Sequence, residues 1–424
     1  MLFVGFSMKD CFAVSAPAFG DELLSARAMG TGGVGVAAQN EDPSTAYLNP
    51  AGLTLLSGTQ ATYGLSWVNL HGEYTDDSGN KSNMRSIDAA VPNAAFSHQF
   101  GEGGLAAGLS IESPYGLGTH WPGDGPLRYV ATNSNLAMVV VSPALAYRIN
   151  PSVSIGAGGD YYNTFDAELE RHIDQASFGA PDGNSRLSGT AANWGYHGGI
   201  LIEPNEHNSF GISYRSEVLL AIKGTVALTG LDGPLAGAFG GSNYATAAYT
   251  DLEIPQTVQF GYAYKPTDRW MFEFDTAWYD WTENQNLDVR YAETNPERLA
   301  ILNQGNPQPT NLHNTWGFSV GANHKYSDRI QFRGGAFCLP SATPDSTFSP
   351  STLDLTRYGL SGGIGIALSQ AFTLDLSYTA VFYHNETITN NVGANTTGMA
   401  AYNIDGTYQD FTNIVMMNLT YRIK

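Results

Sequence analysis

From about residue 58 onward, apolar and polar side chains alternate along the chain with a period of two. In the stretch RWMFEFDTAWYDW, Trp270, Phe272 and Phe274 fall on one face, and Glu273 and Asp275 fall on the other. Because successive side chains of a strand point to opposite faces, this pattern predicts strands between an apolar and a polar medium. The same pattern recurs in three further segments: SFGISYRSEVLL, WGFSVGANHK and FTLDLSYTAVFYH.

The connections between these predicted strands alternate between short turns and long loops. Short turns rich in Gly, Pro, Asn, Asp and Ser are expected at 101–103, 150–151, 204–208, 266–268, 327–328 and 369–370. Long loops are expected at about 70–90, 118–134, 172–192, 224–250, 284–313, 340–355 and 385–408. These connections separate fourteen strands. An even count with turns on one side and loops on the other is typical of an outer-membrane barrel.

A soluble β-sandwich would show a similar alternation of side chains. It has no reason, however, to keep short and long connections in strict order. Aromatic residues at the predicted strand ends, such as Trp270, Trp278, Trp281 and Tyr383, also suit the interfacial girdles of a membrane barrel. We therefore predict an all-β fold, a 14-stranded antiparallel transmembrane β-barrel over residues 58–424.

Composition and charge agree with this class of protein. Charged residues make up 14% of the chain, against roughly 25% in typical globular proteins. We find no uncharged apolar window of eighteen residues, which argues against membrane-spanning helices. The net charge of -19 argues against nucleic acid as a partner, because binding to phosphates requires Lys and Arg.

The N-terminal residues 1–18 read as a secretion signal that is partial or has a wrongly assigned start. Small residues at Val14–Ala16 and Ala16–Ala18 offer cleavage sites. However, no basic region precedes the apolar run, and Lys9 and Asp10 interrupt it.

The segment 19–57 lacks the strand period. It contains GTGGVG at 30–35, a match to the dinucleotide-binding fingerprint. That fingerprint requires a preceding strand, a following helix and an acidic residue about twenty positions later, and none of these is present. We expect no cofactor. Because a lumen of fourteen strands is too wide for wall side chains to fill, we predict that residues 19–57 form a plug.

Several motifs together carry a family resemblance. They are SARAMG at 25–30, the acidic pair Glu41 and Asp42, the NPA turn at 49–51, SPYGL at 113–117 and ISYRSEV at 212–218. The chain resembles the FadL/TodX family of outer-membrane transporters of hydrophobic compounds over nearly its whole length. The resemblance implies a bacterial outer-membrane barrel plugged by an N-terminal hatch. The expected hatch residues are Phe19, Asn49, Pro50 and Ala51.

The resemblance also implies a route for a ligand. A hydrophobic molecule would be captured at the extracellular loops, pass to an internal pocket and leave sideways through the wall. Pro114 lies inside the alternating segment GLAAGLSIESPYGLGT. Because proline cannot donate to a strand ladder, it would force a bulge, kink or gap there. A strand that ends near Ser113 is the alternative. The path at the kink would be lined by Ser113, Pro114, Tyr115 and Gly116.

For the ligand itself, the resemblance implies a basic pair that meets a fatty-acid carboxylate. The arginine of this pair falls on Arg171. The alternative is that Arg171 is a solvated loop residue beside Glu170. The lysine of the pair falls on His313, so the second charge is absent or depends on pH. We expect long-chain fatty acids as ligands. Neutral aromatic or aliphatic hydrocarbons are the alternative, and a general porin is a further one.

Apolar residues of the two longest loops could form the outer capture site, or could pack only against one another: Leu235, Phe239, Leu299 and Ile301. We find neither GxSxG nor HExxH, and the nine histidines are scattered. We therefore expect no enzymatic activity and no metal. The expected partners are a hydrophobic ligand and outer-membrane lipid, with the protein as a monomer.

Overall fold

The computed structural model describes residues 20–37, 42–101, 104–397 and 402–423. Within these ranges, fourteen antiparallel strands close into a barrel, because the first strand pairs with the last from Thr59–Ile423 to Asp76–Gly406. This confirms the predicted fold class. The strands are β1 Thr59–Asp76, β2 Ile87–Phe100, β3 Leu105–His120, β4 Asn133–Asn150, β5 Val153–Ile173, β6 Gly183–Asn205, β7 Asn208–Arg215 with Val218–Thr229, β8 Tyr244–Ile254 with Gln256–Thr267, β9 Trp270–Asp280, β10 Thr315–Lys325, β11 Ile330–Leu339, β12 Arg357–Ala367, β13 Phe372–Tyr383 and β14 Gly406–Ile423.

Short elements fill the N-terminal segment and the long connections. A four-residue strand, Gly20–Leu23, precedes helix α1. Among the residues that the structure describes, no helix has both the length and the apolar character needed to cross a membrane. The helices are α1 Ala26–Gly30, α2 Thr45–Leu48, α3 Gly233–Phe239, α4 Pro296–Leu302 and α5 Val392–Thr397, with 3₁₀ turns at Pro50–Leu55, Ala176–Phe178 and Asp345–Thr347.

The alternation of side chains sorts them between the outside and the lumen of the barrel. On β9, Phe272 and Phe274 are exposed on the outer surface, whereas Glu273 and Asp275 are buried inside. On β13, Tyr378 is likewise exposed outside. The barrel therefore has an apolar outer surface and a polar inner one, as the period of two predicts.

The structure corrects some details of this pattern. The run SFGISYRSEVLL predicts Val218 on the same apolar face as Phe210 and Ile212. Instead, Val218 is buried and Leu219 is exposed, because Ser216 and Glu217 lie outside the ladder between the two parts of β7 and shift the phase of the alternation. Trp281 is not a girdle residue, since it is fully buried beneath the loops. Tyr383 is also partly buried, packed against interior clusters.

Three predicted loops are shorter than expected. Strands extend into both ends of the connections expected at 70–90, 172–192 and 224–250, and β6 alone has 23 residues. These stretches lose the apolar alternation, yet their backbones continue the ladder. Ladder hydrogen bonds do not require apolar side chains, so strands continue where the sequence pattern fades.

The N-terminal segment, defined here as residues 20–37 and 42–57, is enclosed by the ring of strands. Helix α1 contacts β12, β13 and β14, while the 3₁₀ turn contacts β4, β5 and β6 on another side. Its backbone amides bind wall carboxylates: Gly35 and Val36 donate to Asp275, and Ala37 donates to Glu273. Of the predicted hatch residues, Phe19 lies outside the described residues.

The glycine-rich run serves this close contact with the wall. Gly32 has a φ of 77°, and a Cβ there would lie 2.6 Å from the backbone nitrogen of Ala336. A side chain at this position would therefore strain the backbone and collide with β11.

The NPA turn contacts the wall in a similar way. The side chain of Asn49 accepts a hydrogen bond from the amide of Ala51 and donates to the carbonyl oxygens of Val36 and Ile200. Pro50 is the first residue of the 3₁₀ turn, where its missing N–H is not needed. A Cβ on Gly199 of β6 would lie 2.1 Å from the Asn49 Oδ1 atom.

We expect the substitution Gly199→Ala to destabilise the protein by about 1 to 3 kcal/mol, since it places a methyl group inside the Asn49 contact. Gly198→Ala is the matched control, because its Cβ would have no neighbour closer than 3.4 Å. Thermal unfolding of the two variants in detergent would measure the difference. Equal unfolding midpoints would contradict the role given to this contact.

Candidate ligand cavities and the kinked third strand

A cavity of about 300 Å³ lies among the long loops at one end of the barrel. Helix α3 contributes Leu235 and Phe239 to its lining, and helix α4 contributes Ile301 and Leu302. Leu299, also expected in the capture site, is not in the lining. We call this space the outer cavity. Its other lining residues are Tyr129, Arg171, His172, Ile173, Asp174, Phe178, Ser185, Val226, Leu228, Leu231, Tyr291, Gln304, Thr396 and Tyr402.

The two helices that border the outer cavity are defined by capping residues. Asp232 accepts a hydrogen bond from the Gly233 amide at the start of α3. Asn295 accepts hydrogen bonds from the amides of Glu297 and Arg298, the second and third residues of α4. Arg298 then joins the helices, because its Nε atom donates to the Ala238 carbonyl oxygen at 3.0 Å. The short helices are therefore fixed against each other by polar contacts.

Arg171 supplies a cation in the outer cavity. It lies near the end of β5, and its Nη1 atom donates to the Thr396 carbonyl oxygen at 2.7 Å. The structure does not bring the expected second residue to this place. His313 is exposed on the connection before β10, and it is absent from the cavity lining because its backbone is bound to Ala342.

Hydrogen bonds join two loops beside the outer cavity. Arg128 and Tyr129 of the loop after β3 bind the Asp182 carboxylate at 3.0 and 2.9 Å. Burial tends to raise the pKa of Asp182, but the hydrogen bonds from Arg128 and Tyr129 outweigh burial and leave that pKa below its usual value. Tyr129 also packs on Tyr402, with ring centroids 4.4 Å apart.

A second cavity of about 140 Å³ lies in the lumen, with a mostly apolar lining. We call it the inner cavity. Leu187 of its lining and the neighbouring Val226 of the outer cavity belong to one apolar cluster. The two spaces are therefore separated by apolar side chains. The other apolar residues that line the inner cavity are Leu136, Ala167, Leu169, Ile222, Leu252, Leu287 and Leu312.

Strand β3 is irregular at the predicted kink and does not end there. Its pairing with β4 shifts register between Glu112 and Gly116, and the strand continues to His120. Its pairing with β2 extends only from Leu105 to Ile111. The alternative that the strand ends near Ser113 is therefore wrong.

The short strand Gly20–Leu23 pairs with β3 at this irregular point. Leu23 is opposite Ser113, and Gly20 is opposite Tyr115. Pro114 and Tyr115 also line a lumen cavity of about 60 Å³. Ladder pairing between β2 and β3 is thus replaced, over residues 113–115, by pairing with the N-terminal segment.

A buried group made of Asp160, His197 and Arg215 binds the N-terminal segment beside this point. Asp160 of β5 forms an ion pair with Arg215 of β7, and the Nδ1 atom of His197 of β6 is 3.0 Å from Asp160. The Arg215 side chain donates to the Tyr47 carbonyl oxygen at 2.6 Å. The Nε2 atom of His197 lies 2.9 Å from the Ala46 carbonyl oxygen. Helix α2 is thereby attached to three consecutive strands.

This group is not among the residues predicted from the sequence. The signal present in the sequence was an acidic residue, a histidine and an arginine at inward-facing positions of three consecutive strands. Strand register, which opposes Gly158 to His197 and His197 to Arg215, is needed to bring them together.

We expect Asp160→Asn to lower the stability of the protein by about 3 to 5 kcal/mol, because it leaves the buried Arg215 without its carboxylate. Ser142→Ala removes only a hydrogen bond to the same carboxylate and should cost about 1 kcal/mol. Thermal unfolding of both variants would test this. Similar losses in the two variants would contradict the importance of the ion pair.

The fold and cavities define a membrane-barrel class of protein, and comparison with known proteins gives its family. Residues 11–423 match the sequence profile of the outer membrane protein transport protein family (OMPP1/FadL/TodX). The chain belongs to this family, which is a family of outer-membrane transport proteins.

Two kinds of relatives accompany this match. The chain is 24% identical to the long-chain fatty acid transport protein of Salmonella typhi, over 91% of this chain and 95% of that protein. The crystal structure of a Pseudomonas aeruginosa FadL homologue is similar with a TM-score of 0.81 and 19% identity, covering 97% of this chain and all of that one. The Ralstonia pickettii toluene transporter TbuX gives a TM-score of 0.68 at 16% identity, covering 94% and 98%.

Proposed function

We propose that this protein carries long-chain fatty acids across the bacterial outer membrane without an energy-supplying partner. The observation that carries the proposal is the outer cavity, which is lined by apolar residues of α3 and α4 and also by Arg171. A long-chain fatty acid has the matching chemistry, an apolar tail and a carboxylate that a guanidinium binds well. The names of the related transport proteins support the same class of ligand.

The ligand would move in three steps. It enters the outer cavity between α3 and α4, and small movements of the intervening apolar side chains admit it to the inner cavity. It then leaves sideways at the irregular part of β3, beside Pro114 and Tyr115. Lateral exit releases an apolar tail into lipid rather than water, which the hydrophobic effect favours.

The N-terminal segment would act as the hatch of the barrel. Asn49, Pro50 and Ala51 attach it to the wall, and its short strand closes the irregular edge of β3. We propose that a monomer performs this transport within outer-membrane lipid, and we assign the protein no catalytic role. The main barrier to ligand exit would then be the pairing of Leu23 with Ser113.

We expect Arg171→Ala to weaken oleate binding by roughly tenfold, because it removes a charge-assisted hydrogen bond of about 1.5 kcal/mol or more. Equilibrium binding of labelled oleate to the detergent-purified protein would measure the loss. Lys81→Ala is the control, since Lys81 is an exposed residue paired with Glu73 outside both cavities. Retained oleate affinity in Arg171→Ala would count against Arg171 as the carboxylate anchor.

A neutral aromatic or aliphatic hydrocarbon is the second candidate ligand. Two observations favour it: Arg171 already donates to Thr396, and His313 adds no second charge to the cavity. Toluene as an unlabelled competitor separates the candidates. Saturable oleate binding that toluene does not displace supports a fatty-acid transporter, whereas weak oleate binding with a clear toluene effect supports hydrocarbon uptake.

Lateral exit predicts that a covalent lock at β3 stops transport. In the double variant Leu23→Cys and Ser113→Cys, opposed positions allow a disulfide between the N-terminal segment and β3. We expect oleate uptake by cells to fall at least fivefold under oxidising conditions and to recover on reduction, since the lock keeps the exit closed.

The control for this lock is the pair Ala106→Cys and Ala146→Cys, which are also opposed but lie in the regular ladder of β3 and β4. A disulfide there should leave uptake unchanged. Normal uptake by the oxidised Leu23–Ser113 variant would contradict exit at this point.

A further inference from the structure

Tyr291 lies in the wall of the outer cavity. It belongs to the short strand Arg290–Tyr291, which pairs with β8 so that Tyr291 is opposite Ala248. It packs against the apolar cluster that includes Val226 and Phe239, two other lining residues of the cavity. A tyrosine at this place extends the apolar wall with its ring and adds a polar hydroxyl group to it.

The hydroxyl group of Tyr291 has no hydrogen-bond partner in the part of the chain that the structure describes. The hydroxyl groups of the other two tyrosines that line the cavity are already bound to carboxylates: Tyr129 donates to Asp182, and Tyr402 donates to Asp174. Burial raises the pKa of Tyr291 above its usual value, so the hydroxyl keeps its proton at physiological pH. Tyr291 therefore offers the cavity a free hydrogen-bond donor.

The Tyr291 hydroxyl and the Arg171 guanidinium are close enough to interact electrostatically. Burial raises the pKa of Tyr291, and the Arg171 cation opposes part of that effect. Burial likewise lowers the pKa of Arg171, and Tyr291 opposes part of that effect. Because both side chains also line the outer cavity, one small polar group of a ligand can contact the two at the same time.

The Arg171 guanidinium retains donors for such a group. An arginine carries several N–H donors in a planar fork. Among the described residues, the one hydrogen-bond partner of this guanidinium is the Thr396 carbonyl oxygen, at 2.7 Å from Nη1, and no carboxylate is paired with it. A carboxylate that enters the cavity would therefore meet free donors on both Arg171 and Tyr291.

We propose that Tyr291 is a second ligand-binding residue, and that it and Arg171 together hold the carboxylate of a free fatty acid. One carboxylate oxygen accepts from the guanidinium and the other accepts from the phenol hydroxyl, while the tail lies against the apolar wall. A neutral donor thus replaces the second cation of the basic pair that the family resemblance implies. This inference rests on the proposed function and adds a residue that selects its ligand.

Two donors at one head group select a carboxylic acid over a neutral ligand. A hydrocarbon would leave both donors unpaired in a partly buried site, which costs binding free energy. An ester carries no charge, and its carbonyl oxygen accepts more weakly than a carboxylate does. The outer cavity should therefore prefer oleate to methyl oleate, and Tyr291 should contribute to that preference.

Equilibrium binding of labelled oleate and of labelled methyl oleate to the detergent-purified, full-length protein tests the proposal. We expect Tyr291→Phe to weaken oleate binding roughly fivefold, because it removes one hydrogen bond and keeps the ring. Methyl oleate binding should weaken by less than about twofold. The control Tyr378→Phe removes a hydroxyl from the outer surface of the barrel, where it donates to Asn413, and should leave oleate binding unchanged.

A double variant shows whether Tyr291 and Arg171 bind the same group. Once Arg171→Ala has removed the main anchor, the carboxylate is no longer held beside Tyr291. We therefore expect Tyr291→Phe to weaken oleate binding less in the Arg171→Ala background than in the unmodified protein. Independent losses, which multiply in the double variant, would contradict a shared carboxylate.

Unchanged oleate binding in Tyr291→Phe overturns the proposal. An equal loss for oleate and methyl oleate also overturns it, because such a loss indicates an effect on the cavity wall and not on the carboxylate. If Arg171→Ala still weakens oleate binding in either case, the proposed function stands without Tyr291. Absence of saturable oleate binding by the unmodified protein would instead overturn the proposed function, and this inference with it.

Discussion

The attachment of the N-terminal segment to the inner wall is the constraint on which the rest of the structure depends. A barrel of this width cannot fill its own lumen with wall side chains. The lumen-facing carboxylates and Arg215 instead bind backbone groups of the segment, at Gly35, Val36 and Tyr47. Buried charges are costly without partners, so the wall and the segment each satisfy groups that the other leaves unpaired.

This attachment also determines where the wall can open. The segment is tied to β5, β6 and β7 through the Asp160 group, and its short strand occupies the edge of β3 next to Pro114. An opening at β3 therefore requires the short strand Gly20–Leu23 to separate from β3, while helix α2 can remain bound to the wall. The two regions differ in the kind of contact: ladder pairing at Leu23, and a buried ion group at α2.

The barrel was predictable from the sequence because the alternation of side chains and the order of connections are local patterns. Each strand separates lipid on the outside from polar groups on the inside, so apolar and polar side chains alternate along it, as in the run from Trp270 to Trp278. Strand ends were less predictable, since a ladder continues through polar stretches such as Arg186–Thr190 of β6. The change of phase at Val218 required knowledge of where pairing is interrupted.

The sites were less predictable than the fold, because they depend on contacts between distant parts of the chain. The sequence pattern singled out Pro114, whose effect on the ladder is local. It did not place His313, which the family resemblance aligned with a charged ligand residue but whose connection carries it away from the outer cavity. The Asp160 group combines residues of three strands, so strand register had to be known first.

A hydrophobic ligand held between α3 and α4, with its carboxylate at Arg171, is the central proposal for this protein. The most direct measurement is a crystal structure of the protein with a fatty acid brominated at its tail, located by the anomalous signal of bromine. The account predicts bromine in the outer or inner cavity and the carboxylate within hydrogen-bonding distance of Arg171. Bromine found only on the outer surface of the barrel, with both cavities free of the ligand, would contradict it.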